Sequence, residues 1–153
     1  MKQVVAASAA LGTLPNKLPQ GVYYGGAWHR SSSQQIPVYS PSTGQEVAKV
    51  DSAGEEELEA AVKAATAGQK IWAKTIPLER SRVMREAASK IKEHKEELAR
   101  LDALDSGNSL RGMLFDVDIA VTLMEFFAGL ATEIKGETVP VGAGKVNYVV
   151  REP

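Results

Sequence analysis

Apolar residues gather first in short clusters and only later fall into helical spacing, so the chain predicts β-hairpins followed by helices. Val22-Tyr23-Tyr24 and Ala27-Trp28-His29 flank Gly25-Gly26. A glycine pair is what a two-residue hairpin turn with positive φ at both centres prefers. A second hairpin is written in Ile36-Pro37-Val38-Tyr39 and Gln45-Glu46-Val47-Ala48-Lys49-Val50. Between them Pro41 pre-sets a turn and Gly44 releases it. Val47 and Val50 do not alternate with polar residues, so the pattern leaves the faces of this strand undecided.

Ser52-Ala53-Gly54-Glu55 has the spacing of a capping box, and Leu58, Val62, Ala65 and Trp72 then recur on one helical face. A first helix is expected over 53–74. Thr75 and Pro77 mark a fresh start, after which Val83, Ala87, Ile91, Leu98 and Leu101 form one stripe. Gly107 stands where a C-terminal glycine belongs, and the length of the stripe predicts a break near His94. The next helix, expected over 110–135, is apolar on nearly every side, and such a helix has to be covered by other elements or by another subunit. Glu137 to Val141 and Lys145 to Val150 are β-rich runs around Gly142-Ala143-Gly144, with little remaining chain to pack against. Residues 1–20 lack periodicity and contain Gly12, Pro15 and Pro19, which predicts a loose leader or an arm lying on a neighbouring surface.

Composition narrows the function classes. Of 153 residues, 44% are hydrophobic, enough for one globular core. Eighteen basic against nineteen acidic residues leave a net charge of -1, without the one-signed excess that attracts nucleic acid or an anionic membrane. Asp116, Asp118 and Glu125 interrupt the longest apolar tract, which excludes it as a membrane span. Cysteine is absent, so disulfides, thiolate metal sites and thiol nucleophiles are excluded from this chain, and a cytoplasmic location is expected.

Few residues suggest chemistry of their own. Gly142-Ala143-Gly144-Lys145 lacks the further glycine and the following helix that a phosphate loop requires, so a hairpin turn is expected. His29 and His94 have no neighbouring cluster with metal-ligand spacing. Asp102 and Asp105 fall in the last turn before Gly107, where the helix dipole is already negative. Something positive should compensate, either a base such as Arg100 or Lys49 or a bound cation. Tyr23, Tyr24, Trp28, Tyr39 and Trp72 are expected to pack into the core with their polar atoms at its edge.

The order of these pieces resembles one family. Tyr24-Gly25-Gly26-Ala27-Trp28 resembles the opening of the aldehyde dehydrogenase superfamily, and Tyr39 to Val47 resembles its "NPATGEVI" hairpin. Pro77 to Met84, with Glu79, Arg80 and Arg82, is similar to the "PxERxRxL" helix start, and Leu101 to Ser109 to "ETLDNGKP". Glu133 to Pro140 resembles "KIxGETIP", and Tyr148 to Pro153 resembles "YTRREP". Together they cover residues 21–153.

The resemblance implies an α/β fold: the N-terminal layer of an aldehyde dehydrogenase cofactor domain, with two β-hairpins and three to four helices, plus the first ribbon of the oligomerisation arm. The implied boundaries are 1–20 for the leader or arm, 21–136 for the N-terminal part of the cofactor-binding domain and 137–153 for the start of the β-arm. It implies an enzyme that oxidises an aldehyde to a carboxylic acid with NAD or NADP, by attack of a Cys thiolate, hydride transfer and Glu-activated hydrolysis. Those residues and the main cofactor-binding loop are expected beyond Pro153, so no catalytic or cofactor-binding residue is expected here. The absence of Cys agrees, and the chain alone is expected to be inactive and to bind no cofactor. By the same resemblance Asp105, with the backbone carbonyl of Val38, helps to bind a monovalent cation. Phe115 and Ile119 lie near the mouth of the substrate tunnel. The implied partners are the remainder of the enzyme and further copies of it, with no nucleic acid and no membrane. The rival reading, a stand-alone interaction module without catalysis, is disfavoured by β-runs that would be left with uncovered edges.

Overall fold

The computed structural model describes residues 20–31 and 34–152. The expected leader lies outside them except for Gln20. Two hairpins open the described chain, β1 (Val22–Tyr24) with β2 (Ala27–His29) and β3 (Gln35–Tyr39) with β4 (Glu46–Asp51). Helices α1 (Glu55–Lys74), α2 (Pro77–Glu93), α3 (Lys95–Ser106) and α4 (Leu110–Leu130) follow, and a third hairpin pairs β5 (Glu137–Val139) with β6 (Asn147–Val149). Each sheet is a separate antiparallel pair. This is the α/β arrangement expected of the N-terminal layer.

In the first hairpin Gly25 and Gly26 take φ values of 61° and 85°, which a side chain would disfavour at both positions. Tyr23 meets Trp28 across the strands with ring centroids 5.2 Å apart, and Tyr24 stacks on His29 at 3.9 Å. In the second, Val38 pairs with Ala48 while Tyr39 pairs with Glu46, so Val47 is an extra residue bulging from β4. That bulge is why Val47 and Val50 do not alternate. At the open end of this hairpin Asp51 accepts hydrogen bonds from the Gln35 amide at 2.8 Å and from Arg30 at 3.4 Å. The Gln35 bond, and then the Arg30 charge, hold the Asp51 carboxyl below the ordinary carboxylate range.

Helix boundaries depart from expectation at two ends. The first helix begins at Glu55, with Gly54 as its cap instead of Ser52. Gly54 has no side chain, so only the returning half of a capping box forms, the Gly54 N–H donating to Glu57 Oε2 at 2.8 Å. Helix α4 ends at Leu130 rather than near residue 135, because its last turn tightens, Ala131 N–H reaching Ala128 and Glu133 N–H reaching Leu130. The break at His94 and the stop at Gly107 fall where the stripe predicted them, Gly107 in the left-handed region at φ 75°. Pro77 opens α2 at a position where its missing N–H is an orphan anyway.

The buried seam is made of small residues. Ala88 of α2, Ala99 of α3 and Ala128 of α4 have no exposed surface, and Ala103 has almost none. Side chains of this size let α4 lie close against α2 and α3. Ala99 and Ala103 pack with Met113, Leu110, Leu114 and Val117, and Lys95 bridges α3 to Asp118 of α4 at 2.6 Å. Large apolar side chains face outward instead. Tyr23, Trp28, Tyr39 and Trp72 are all exposed, contrary to the expected aromatic core, because the contacts of α1 with β1 and of the second hairpin with α3 leave these side chains uncovered among the described residues.

A seam of alanines tolerates no added volume. Ala99→Leu is expected to destabilise the fold by about 1–3 kcal/mol through overpacking against Met113 and Leu110. Urea denaturation of the two proteins checks this, and an unchanged midpoint would contradict the close approach of α3 and α4.

Candidate functional site

Gly107 fixes the geometry around the expected cation residues. A Cβ at this position would lie 2.7 Å from Pro41 Cγ and 3.2 Å from Ser42 Oγ. The turn of the second hairpin therefore rests directly on the end of α3. The turn is itself rigid, with Ser40 buried, its N–H donating to Gln45 at 2.9 Å and its carbonyl accepting from Gly44 N–H at 2.7 Å.

This docking brings Val38 and Asp105 to one place. Both line a cavity of about 420 Å³ between β3, β4 and α3, whose wall is otherwise largely Val47, Val50, Leu98 and Leu101. Val38 is half-buried and Asp105 is exposed. Asp102 joins the same rim, so two carboxylates border a mostly hydrocarbon wall at a helix end that has no basic residue in its last turn. Lys49, one expected counter-charge, pairs with Glu46 at 3.8 Å. The Ser106 hydroxyl donates to the Asp102 carbonyl at 2.7 Å, so one orphan carbonyl of the helix end is satisfied locally. Among the described residues no group of three or more His, Cys, Asp or Glu side chains gathers.

Phe115 and Ile119 lie four residues apart on α4, which places them on one helix face, and both are exposed, 62% and 40% respectively. They stand apart from the Asp105 cavity, on a helix that Ser109 caps by accepting the Gly112 N–H at 3.2 Å. The histidines do ordinary work: His29 Nε2 donates to the Tyr24 carbonyl at 3.2 Å, and His94 at the helix junction faces Glu97 at 3.3 Å. Gly142 to Lys145 forms the β5–β6 turn with Gly144 at φ 78°, and no helix follows it.

One group escaped the sequence reading. A second cavity, about 320 Å³, is lined by Trp72, Arg80, Met84, Phe127, Leu130 and Ile134, and Arg80 Nε is buried without a hydrogen-bond partner. The available signal was an arginine four residues before Met84, on a helix face that otherwise turns apolar.

Comparison with known proteins gives the class to which this architecture belongs. The sequence model of the aldehyde dehydrogenase family matches residues 28–153. The chain is 36% identical over 147 residues to 4-trimethylaminobutyraldehyde dehydrogenase B of Danio rerio, covering 95% of this chain and 28% of that protein. It is 43% identical over 119 residues to betaine aldehyde dehydrogenase of Cereibacter sphaeroides, covering 77% of this chain and 24% of that protein. A betaine aldehyde dehydrogenase point mutant from Staphylococcus aureus, solved with NAD+, superposes with a TM-score of 0.83 at 31% identity, over 89% of this chain and 28% of that one. The chain belongs to the aldehyde dehydrogenase family. It spans about a quarter of the length of the curated relatives it matches.

Two substitutions test the cavity. Gly107→Ala is expected to destabilise the protein by about 1–3 kcal/mol, from the left-handed backbone and the Pro41 contact together, and an unchanged thermal melt would contradict the docking. Asp105→Asn removes a carboxylate from a negative helix end. In choline chloride at low ionic strength it should raise stability by about 0.3–1 kcal/mol. A fall instead would mean that a protein cation already compensates Asp105.

Proposed function

We propose that this chain is the N-terminal layer of an NAD(P)-dependent aldehyde dehydrogenase that oxidises an aldehyde to a carboxylic acid in the cytoplasm as a homo-oligomer. The observation that carries the reading is the agreement of backbone and sequence with NAD-bound enzymes of that activity over nearly all of the described chain. In this reading residues 21–136 belong to the cofactor-binding domain and 137–153 begin the arm that pairs subunits. The cofactor accepts the hydride when bound. The 153 residues contain no cysteine to supply a thiolate, and among the described residues no glycine-rich turn leads from a strand into a helix. The chain's own contribution is therefore positional.

Two positional roles are proposed. Asp105 and the Val38 carbonyl contribute oxygen ligands to one monovalent cation, supported by their place on one cavity and by the acidic rim that Asp102 shares. Hard monovalent ions suit oxygen donors, and further ligands come from the rest of the enzyme. Potassium chloride is then expected to stabilise the natural-length protein more than choline chloride does, and Asp105→Asn to abolish the difference. Phe115 and Ile119 border the substrate tunnel, supported by their exposure on one face of α4.

Aldehyde-dependent NADH formation tests the whole reading, with betaine aldehyde and 4-trimethylaminobutyraldehyde as the first substrates. The natural-length protein should form NADH, whereas the 153 residues alone should form none. NADH formation by the pure 153-residue chain, abolished by a substitution within it, would contradict the assignment of all chemistry to other residues.

A further inference from the structure

Lys95, the first residue of α3, reaches across to Asp118 in the middle of α4, its Nζ 2.6 Å from the carboxylate. Both residues belong to helices that pack on each other within this chain, so the contact depends on no cover from elsewhere in the enzyme. At about 100° per residue, Asp118 stands roughly 60° around the α4 axis from Phe115 and roughly 100° from Ile119, between them and the core-facing Leu114 and Val117. The Asp118 carbonyl accepts from the Thr122 hydroxyl at 2.9 Å. The turn that carries Ile119 is therefore tied both along α4 and across to α3.

Ala99 and Ala103 bring α3 close to α4, but methyl groups form shallow ridges, which oppose separation of two helices more than rotation of one about its axis. An ion pair at the edge of the seam does oppose rotation, because turning α4 draws the two charges apart. We propose that Lys95 is a positioning residue for the aldehyde tunnel: through Asp118 it holds the rotation of α4 that aims Phe115 and Ile119 at the substrate. The proposal rests on the reading of those two side chains as the tunnel border, and Lys95 acts through α4 and not by contact with the aldehyde. An exposed pair supplies little energy, so its loss falls on the fit of the aldehyde and not on the survival of the fold.

Steady-state kinetics of the natural-length protein test this, with whichever of betaine aldehyde, 4-trimethylaminobutyraldehyde and hexanal it oxidises with the highest kcat/KM. Lys95→Met should raise the KM for that aldehyde about two- to fivefold, the range an exposed ion pair can supply, with kcat and the KM for NAD+ unchanged. Lys95→Arg, which keeps the cation, should retain the native KM. Asp118→Asn should match Lys95→Met, and it carries the test if that variant does not fold. In a Phe115→Ala/Ile119→Ala background Lys95→Met should raise the KM no further, an outcome that a general loosening of the fold would not give. An unchanged KM in Lys95→Met and Asp118→Asn would overturn the proposal, as would an equal rise in the double-alanine background or a matching change in kcat and in the KM for NAD+. A Phe115→Ala/Ile119→Ala protein with the native KM would remove the tunnel reading and the positioning role together. A raised KM there, with Lys95→Met silent, would remove the positioning role alone.

Discussion

The close approach of α4 to α2 and α3 through a seam of alanines is the constraint on which the rest of this structure depends. Ala88, Ala99, Ala103 and Ala128 are buried because nothing larger fits between helices at that distance. Met113 and Val121 fill what remains on α4. The seam holds the helices together yet removes only modest apolar area from water, since alanine has little to bury. No large side chain among the described residues is fully buried.

Two consequences follow from a core of that kind. The large apolar groups, Phe115, Leu123, Phe126 and Phe127 on α4 and Ile71 and Trp72 on α1, point away from the seam and present surface that a monomer rarely leaves in water. The helix ends are also fixed, and with them everything docked on those ends. Gly107 terminates α3 in a left-handed turn beneath Pro41, and the seam holds that helix end in place. The hairpin turn then sets β3 beside the last turn of α3, where Val38 and Asp105 come to share a cavity. A layer that is stiff along its seam and apolar on its outer faces is suited to be one wall of a larger enzyme.

Local rules made much of this legible in the sequence. Gly25-Gly26, Pro41, Gly44, Pro77 and Gly107 each impose a backbone conformation on their own, so hairpins, helix start and helix stop followed from single residues. The first cap lies at Gly54 and not at Ser52 because the Glu57 carboxylate reaches the Gly54 N–H, a contact that the spacing of small polar residues does not specify. The bulge at Val47 was visible only as a failure of alternation, since register depends on the partner strand. Burial of the aromatics was misjudged for a physical reason: hydrophobicity says that a side chain seeks cover, not which chain supplies it. The Asp105–Val38 pairing came from resemblance, because the 66 intervening residues carry no local signal of contact. Arg80 carries no local signal, because an arginine on a helix is ordinarily solvated, and only the packed neighbours show that its Nε is buried.

The proposed place of this chain as one wall of a larger enzyme is tested most directly by the intact mass of the protein recovered from its natural source. A mass several times the 16.4 kDa of these 153 residues is predicted, with the present sequence found as its N-terminal peptides. A species of 16.4 kDa, monomeric and bound to no other chain, would contradict it, for the outward apolar faces of α1 and α4 would then have no cover.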